Sequence, residues 1–185
     1  MERYERVDPR EKYRLVEHLL PDAPARVLDV GAGSGVDSAW FASLGHDVGA
    51  VEPTEAMRRR AMELHRCERI QWVDDRLPGL TSLAANARSF DLIIVASVWT
   101  HLDGASQERS LHTLHSRLAP AGVLILSLRD GPPAEGIATF PVSVPHTIAA
   151  AETAGLRLVL DREAESLQPV NRAAGVRWTW LAFGR

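Results

Sequence analysis

Two carboxylates, Asp29 and Glu52, enclose a run of glycines, and these residue types at this spacing could bind a ligand together. The glycines are Gly31, Gly33 and Gly35, in the order G-A-G-S-G. A glycine backbone can bend sharply and has no side chain to hold a ligand away. Glu52 follows the glycines by about 20 residues, at the end of a predicted strand, where a carboxylate accepts hydrogen bonds from two ribose hydroxyls. The spacing predicts a nucleoside ligand.

A dinucleotide such as NAD is the first alternative, because NAD-binding domains share this layout. Their fingerprint is G-x-G-x-x-G, and a pyrophosphate rests on the N-terminus of the helix that follows. The turn here is G-x-G-x-G, and Asp29 precedes it by two residues. A carboxylate at that place repels a pyrophosphate but attracts an ammonium or sulfonium group. The pattern therefore favours S-adenosylmethionine over a dinucleotide.

The same residues resemble the motifs of class I S-adenosylmethionine-dependent methyltransferases. The glycine turn with Asp29 matches the first motif of that family, and Glu52 matches its ribose-binding acid. The resemblance implies an α/β fold with a Rossmann-like, doubly wound sheet of seven strands in a three-layer αβα sandwich. The sheet is expected to be mostly parallel, with an antiparallel C-terminal strand. Because the resemblance covers nearly the whole chain, we expect one domain over residues 1–185, with S-adenosylmethionine as cofactor and S-adenosylhomocysteine as product.

The apolar pattern predicts the elements of such a sheet. Residues 89–96 form a nearly continuous apolar run, which is typical of a central parallel strand, and the last strand is apolar on both faces, which predicts an inner position. The predicted strands are residues 26–30, 47–51, 70–73, 89–96, 123–128, 156–160 and 176–183. The predicted helices are residues 9–20, 36–44, 104–118 and 148–154, with one more that Pro53 and Thr54 begin.

The resemblance also assigns contacts to the rest of the cofactor. An acid after the third strand accepts a hydrogen bond from the adenine amino group, and Asp74 and Asp75 both qualify, although capping the next helix is the competing use for either. A backbone carbonyl of Ala96 or Ser97, after the fourth strand, is expected to face the methionine ammonium. The predicted cofactor-binding set is Asp29, Gly31, Ala32, Gly33, Gly35, Glu52, Pro53, Asp74, Asp75, Ala96, Ser97, Tyr4 and Arg14.

The N-terminal segment, residues 1–22, is expected to close over the cofactor, as in the methyltransferases that the sequence resembles. Tyr4, Tyr13 and Arg14 could contact the methionine part, Arg14 by pairing with its carboxylate. The alternative for each is a solvated face or ordinary packing. Relatives tend to carry basic residues where this chain has Val36 and Asp130, so the anchor of the cofactor carboxylate stays open.

The acceptor side is predicted from the carboxyl ends of the fourth and fifth strands, because ligands of open α/β sheets bind outside those ends. Trp99 and Arg129 are the predicted substrate-binding residues, and residues 129–147 are the predicted substrate-side loop. His101 could accept a proton from the group being methylated, because an imidazole is a common general base in enzymes. A structural role for His101 is the alternative.

The expected reaction is an in-line displacement by an oxygen, nitrogen or sulfur atom of the acceptor. The fourth strand is followed by A-S-V-W and not by the N/D-P-P-Y/F of amino-methylating DNA and protein enzymes, and there is no Pro-Cys nucleophile. A small-molecule acceptor is therefore expected. Two other functions stay open at this point, namely an NAD-dependent oxidoreductase and a non-catalytic member that binds the cofactor or a partner.

Composition limits the setting. The 185 residues are 45% hydrophobic and carry a net charge of −3 with scattered basic residues, so we expect neither nucleic acid nor membrane as a partner. Cys67 is the single cysteine, which predicts no disulfide, no metal site and a reducing cytoplasm. No N-terminal apolar run or membrane-length stretch is evident, which predicts a soluble protein. The oligomeric state is not predicted.

Overall fold

A computed structural model describes residues 7–84, 89–133, 136 and 138–185. They form one seven-stranded sheet in the order β3-β2-β1-β4-β5-β7-β6. The strands are β1 (Arg26–Val30), β2 (Asp47–Val51), β3 (Ile70–Val73), β4 (Phe90–Ala96), β5 (Leu118–Asp130), β6 (Arg157–Glu165) and β7 (Arg177–Gly184). Neighbouring strands from β3 to β5 are parallel, and β7 runs antiparallel to both β5 and β6. The predicted sheet is confirmed, including the inner position of its last strand.

Helices cover both faces of this sheet. They are α1 (Pro9–Tyr13), α2 (Val36–Ser43), α3 (Glu55–Leu64), α4 (Thr81–Ala84), α5 (Gly104–Arg117), α6 (Val144–Thr153) and α7 (Pro169–Ala173), with short 3-10 helices at Glu17–Leu19 and Trp99–His101. Tyr13 of α1 and Phe41 of α2 lie in the apolar core of one face. Leu111 and Leu114 of α5 lie in the core of the other. This is the predicted three-layer arrangement.

The centre of the sheet follows directly from its sequence. Leu92 to Val95 of β4 are all buried, because β4 lies between β1 and β5 with helices on both faces. Gly122 is needed beside β4, since a Cβ there would lie 2.8 Å from the carbonyl oxygen of Phe90. The carboxyl edge of the sheet has two halves, formed by the ends of β1 to β3 and by the ends of β4 and β5, and the pairing of β1 with β4 joins them in register.

Several boundaries differ from the predicted ones. The first helix ends at Tyr13 and not at residue 20, and a 3-10 turn replaces its second half. β5 begins at Leu118 because it already pairs with Phe90 there, ahead of the Pro-Ala-Gly turn. β6 runs on to Glu165 because β7 pairs with it along its whole length. Among the described residues, none of the helices is long and apolar enough to cross a membrane.

Candidate functional site

The glycine turn connects β1 to α2 at the carboxyl edge of the sheet. Gly31, Gly33 and Gly35 all have positive φ, at 76°, 57° and 85°. The amides of Gly31 and Ala32 donate to the carbonyl oxygen of Val51, at 2.8 and 2.9 Å. The turn is thus tied to the end of β2, the strand that Glu52 follows. Only glycine adopts such a run of left-handed residues without strain.

Close packing gives two of these glycines a second role. A Cβ at Gly31 would overlap Cγ2 of Val98, which follows β4, and a Cβ at Gly35 would lie 2.8 Å from the ring of Trp72 on β3. Gly33 is the more open of the three, with Met57 Cε at 3.6 Å from a hypothetical Cβ. The sequence explained the glycines by ligand approach, whereas the structure shows that Gly31 and Gly35 are also required by the protein's own side chains.

Glu52 is fixed by the backbone around it. It is 5% exposed, its Oε2 accepts from the Gly33 amide at 3.0 Å, and its Oε1 accepts from the Thr54 amide at 2.8 Å. Each carboxylate oxygen has two lone pairs, so each has one left for a ligand hydroxyl. Pro53, between Glu52 and Thr54, is exposed. This arrangement fits a ribose, whose two adjacent hydroxyls would donate to the two oxygens.

Asp29 lies at the base of the same turn, at only 2% exposure. The Ser38 hydroxyl donates to its Oδ2 at 2.6 Å. Burial and the nearby Asp37 raise the pKa of Asp29 from 3.8 to about 7, while the Ser38 hydrogen bond and Lys12 act in the opposite direction. A buried carboxyl that is costly to ionise is suited to a cationic ligand, which would favour its charged form.

A second buried acid joins α1 to α2, and the sequence did not single it out. Lys12 forms an ion pair with Asp37 Oδ2, and the Tyr13 hydroxyl donates to the same oxygen at 2.8 Å. Tyr13 is fully buried and stacks on Trp40 with ring centroids 5.3 Å apart. Burial first, and then Asp37 and Asp29, raise the pKa of Tyr13 well above its ordinary value. The acid in the first turn of α2 was the only sequence signal for this contact.

This contact settles the role of Tyr13 and leaves two N-terminal predictions open. Tyr13 anchors α1 by packing and is not free to reach a ligand in this conformation. Arg14 is exposed at the end of α1, and it is Lys12 that turns toward the acids. Tyr4 lies outside the described residues. The cofactor contacts of Tyr4 and Arg14 stay predictions.

The two acids after β3 have different surroundings. Asp75 caps α4, since its Oδ2 accepts from the amides of Ser82 at 2.7 Å and Leu83 at 3.3 Å. The Asp74 side chain is 68% exposed and forms an ion pair with Arg58 at 2.8 Å. Asp75 is thus used as the helix cap that the sequence offered as an alternative, and Asp74 is the more accessible of the two acids.

On the acceptor side, Trp99 must be corrected. Its ring is 0% exposed within the core, and its indole nitrogen donates to Thr147 Oγ1 at 3.3 Å. Trp99 was predicted to bind the substrate, but its ring points inward and packs against α5 and α6 instead. Trp99 therefore has no surface for a substrate.

His101 and Arg129 lie beyond the ends of β4 and β5. His101 is exposed and ends the 3-10 turn, where its amide donates to the Val98 carbonyl at 2.8 Å. Arg129 is half-buried, and its guanidinium donates to the Gly131 carbonyl at 3.3 Å. The described part of loop 129–147 reaches the same turn, because the Phe140 amide donates to the Thr100 carbonyl at 2.7 Å. The loop thus lies beside His101.

The comparisons with known proteins agree with this geometry. A family model described as a methyltransferase domain matches residues 2–180. The chain belongs to this methyltransferase family. Ubiquinone biosynthesis O-methyltransferase of Xanthomonas axonopodis pv. citri is 35% identical over 116 residues, which are 62% of this chain and 47% of that protein. An uncharacterised methyltransferase of Mycobacterium tuberculosis is 32% identical over 121 residues, which are 65% of this chain and 46% of that protein. This methyltransferase chain spans about half the length of the curated relatives it matches.

Solved structures share the fold of this methyltransferase chain. A Burkholderia thailandensis 1,6-didemethyltoxoflavin-N1-methyltransferase, with 1,6-didemethyltoxoflavin and S-adenosylhomocysteine bound, matches at a TM-score of 0.69 and 21% identity, over 86% of this chain and 70% of that one. An S-adenosylmethionine-dependent methyltransferase of Mesorhizobium loti matches at a TM-score of 0.74 and 18% identity, over 94% of this chain and 97% of that one. At these identities the likeness shows the fold alone.

Proposed function

We propose that this chain transfers a methyl group from S-adenosylmethionine to an oxygen, nitrogen or sulfur atom of a small molecule. The observation that carries the proposal is the pair of buried acids at the glycine turn. Glu52 is held by two amides with a lone pair left on each oxygen, and Asp29 lies beneath the same turn. A cationic nucleoside fits both acids, whereas a dinucleotide would bring a pyrophosphate close to Asp29.

The residues that would hold the cofactor come from both halves of the carboxyl edge. Glu52 would accept from the ribose hydroxyls, Asp74 from the adenine amine, and a carbonyl of Ala96 or Ser97 from the methionine ammonium. Asp29 would balance the positive charge, directly or through the turn. When bound, S-adenosylmethionine supplies an electrophilic methyl carbon. The chain's own task is to align the acceptor, exclude water and, where needed, remove a proton.

His101 is the candidate base that would accept this proton. It is exposed beyond the end of β4, and the described part of loop 129–147 contacts the neighbouring Thr100. An imidazole in this position can accept a proton from a hydroxyl or amine and release it to solvent. Arg129 is the remaining candidate for binding an acceptor, through its guanidinium. Both roles, like the division of the chain into one domain with an N-terminal cover and a substrate-side loop, are proposals.

The names of relatives support a small acceptor. One is an O-methyltransferase of ubiquinone biosynthesis, and another carries 1,6-didemethyltoxoflavin in its structure. Both names refer to small organic molecules, and they support an acceptor of that class for this chain. The exclusion of nucleic acid and the cytoplasmic setting stay predictions.

The test is a screen of small phenols, amines and thiols for transfer of a labelled methyl group from S-adenosylmethionine. We expect the wild-type chain to label at least one acceptor and Glu52→Ala to label it far more slowly. His101→Gln should then slow transfer with little change in affinity for S-adenosylhomocysteine. Binding of S-adenosylhomocysteine with no labelling across the screen would favour a non-catalytic member, and binding of NADH alone would favour the oxidoreductase.

A further inference from the structure

Ser97 has an unusual backbone at the end of β4. Its φ is +63°, in the left-handed region that serine rarely adopts, and its side chain is exposed. A non-glycine residue held in such a conformation is strained, and it persists only where surrounding contacts fix it. The cause must therefore be sought in the contacts of its backbone.

Ser127 supplies that contact from the neighbouring strand. The Ser97 amide donates to the Ser127 Oγ at 2.9 Å, and Ser127 is only 2% exposed. Ser127 lies opposite Ala96 in the parallel register of β4 and β5. Where β4 ends, the Ser97 amide leaves the backbone ladder, and the buried hydroxyl takes the place of a strand carbonyl as its acceptor.

The residues after Ser97 show what this bend positions. Val98 packs so closely on Gly31 that no Cβ fits there, and the Val98 carbonyl accepts from the amide of His101. The bend thus joins the glycine turn to the segment that carries the candidate base. A rotation at Ser97 would move Val98 off the glycine turn and turn the carbonyl of Ala96 or Ser97 away from the cofactor position.

We propose that Ser127 is a positioning residue, whose buried hydroxyl holds Ser97 in its left-handed conformation and so sets the carbonyl and the Val98 contact that complete the cofactor site. The inference rests on the proposed function. Ser127 does not itself touch the ligand in this account. It acts through the Ser97 amide alone.

The experiment measures S-adenosylhomocysteine affinity by calorimetry in variants of the pair. Ser127→Ala removes one hydrogen bond and should weaken binding about fivefold. Adding Ser97→Gly should restore most of that loss, because glycine adopts positive φ without strain and keeps the carbonyl. Ser110→Ala is the matched control, since Ser110 is also fully buried and donates one hydrogen bond, to Ser106 O at 2.6 Å within α5. It should lower stability without changing affinity.

Two results would overturn the proposal. One is wild-type affinity in Ser127→Ala, and the other is a loss that Ser97→Gly does not restore. Should Ser127→Ala fail to fold, Ser97→Val tests the same conformation at an exposed position, and affinity within about twofold of wild type would contradict it, because a β-branched residue resists positive φ.

Amide hydrogen exchange separates this proposal from the proposed function, since it needs no ligand. The Ser97 amide should exchange slowly in the wild-type chain and rapidly in Ser127→Ala. In Ser127→Thr, which keeps the hydroxyl, it should exchange as slowly as in the wild-type chain. Rapid exchange in the wild-type chain would overturn the hydrogen bond itself. Failure of the wild-type chain to bind S-adenosylhomocysteine would instead overturn the proposed function.

Discussion

The two halves of the carboxyl edge are built in different ways. On the cofactor half, formed by β1 to β3, Asp29 and Glu52 are buried and each is held by hydrogen bonds from the chain. On the acceptor half, formed by β4 and β5, His101 is exposed and the Arg129 guanidinium donates to the Gly131 carbonyl of its own loop. The fold therefore holds the candidate cofactor groups with its own hydrogen bonds, whereas the candidate acceptor groups lie nearer to the surface.

The largest effect is expected where the two halves touch. In Gly31→Ala, the new methyl group overlaps Val98 and φ stays at an unfavourable +76°, so we expect S-adenosylhomocysteine affinity to fall about 100-fold. Calorimetry measures the affinity. Gly45→Ala is the matched control, because Gly45 also has positive φ, at 98°, but lies before β2 at the opposite edge. Equal effects of the two substitutions would mean that the contact between the halves is unimportant.

Glu52→Ala tests the cofactor half alone. It removes the acceptors for the ribose and for the amides of Gly33 and Thr54, so affinity for S-adenosylhomocysteine should fall more than about tenfold, or ~1.4 kcal/mol. Asp47→Ala is the control, since Asp47 is an exposed acid at the other end of β2, paired with Arg69 at 3.0 Å. Unchanged affinity in Glu52→Ala would remove Glu52 from the site.

Asp29→Asn separates binding from stability. In the folded chain the pKa of Asp29 is about 7, above its ordinary value of 3.8. The proton on Asp29 therefore stabilises the fold fully below pH ~4, and this stabilisation is lost as the pH rises through 7. Asparagine cannot ionise. At pH 8 the free energy of unfolding of the variant should therefore exceed that of the wild-type chain by about 4 kcal/mol. The variant should bind S-adenosylhomocysteine about fivefold more weakly. Denaturant unfolding at pH 5 and pH 8 checks the first result.

Asp47→Asn is the control for that prediction, because its carboxylate is exposed. A variant and wild-type chain whose stabilities differ equally at pH 5 and pH 8 would show that Asp29 ionises like an ordinary carboxyl. In that case the electrostatic reason for a cationic ligand would lose its support.

Lys12→Met should give the smallest effect. Lys12 lowers the pKa of Asp29 and pairs with Asp37. Its removal should therefore raise the pKa of Asp29 further and weaken the binding of S-adenosylhomocysteine about threefold near pH 7. The pH at which affinity rises should move upward. Arg10→Met, an exposed residue of the same helix, is the control. A pH profile identical to wild type would leave Lys12 with a purely structural role.

The sequence predicted where the glycine turn and Glu52 lie better than it predicted the surroundings of Trp99, for physical reasons. The glycine turn and Glu52 are recognisable because backbone geometry and ribose chemistry allow few residue types there. The contact of Lys12 with Asp37 was missed because it joins elements 25 residues apart, which no local pattern reports. Trp99 was misplaced because a short turn after β4 has no periodicity to show which way its ring points.

We expect Asp29 and Glu52 to form a site for an adenosine derivative that carries a positively charged ammonium or sulfonium group. Calorimetric titration of the wild-type chain with S-adenosylhomocysteine, and separately with NADH, tests it most directly. We expect saturable one-to-one binding of S-adenosylhomocysteine, stronger at pH 8 than at pH 6, and no binding of NADH. Binding of NADH without binding of S-adenosylhomocysteine would contradict it.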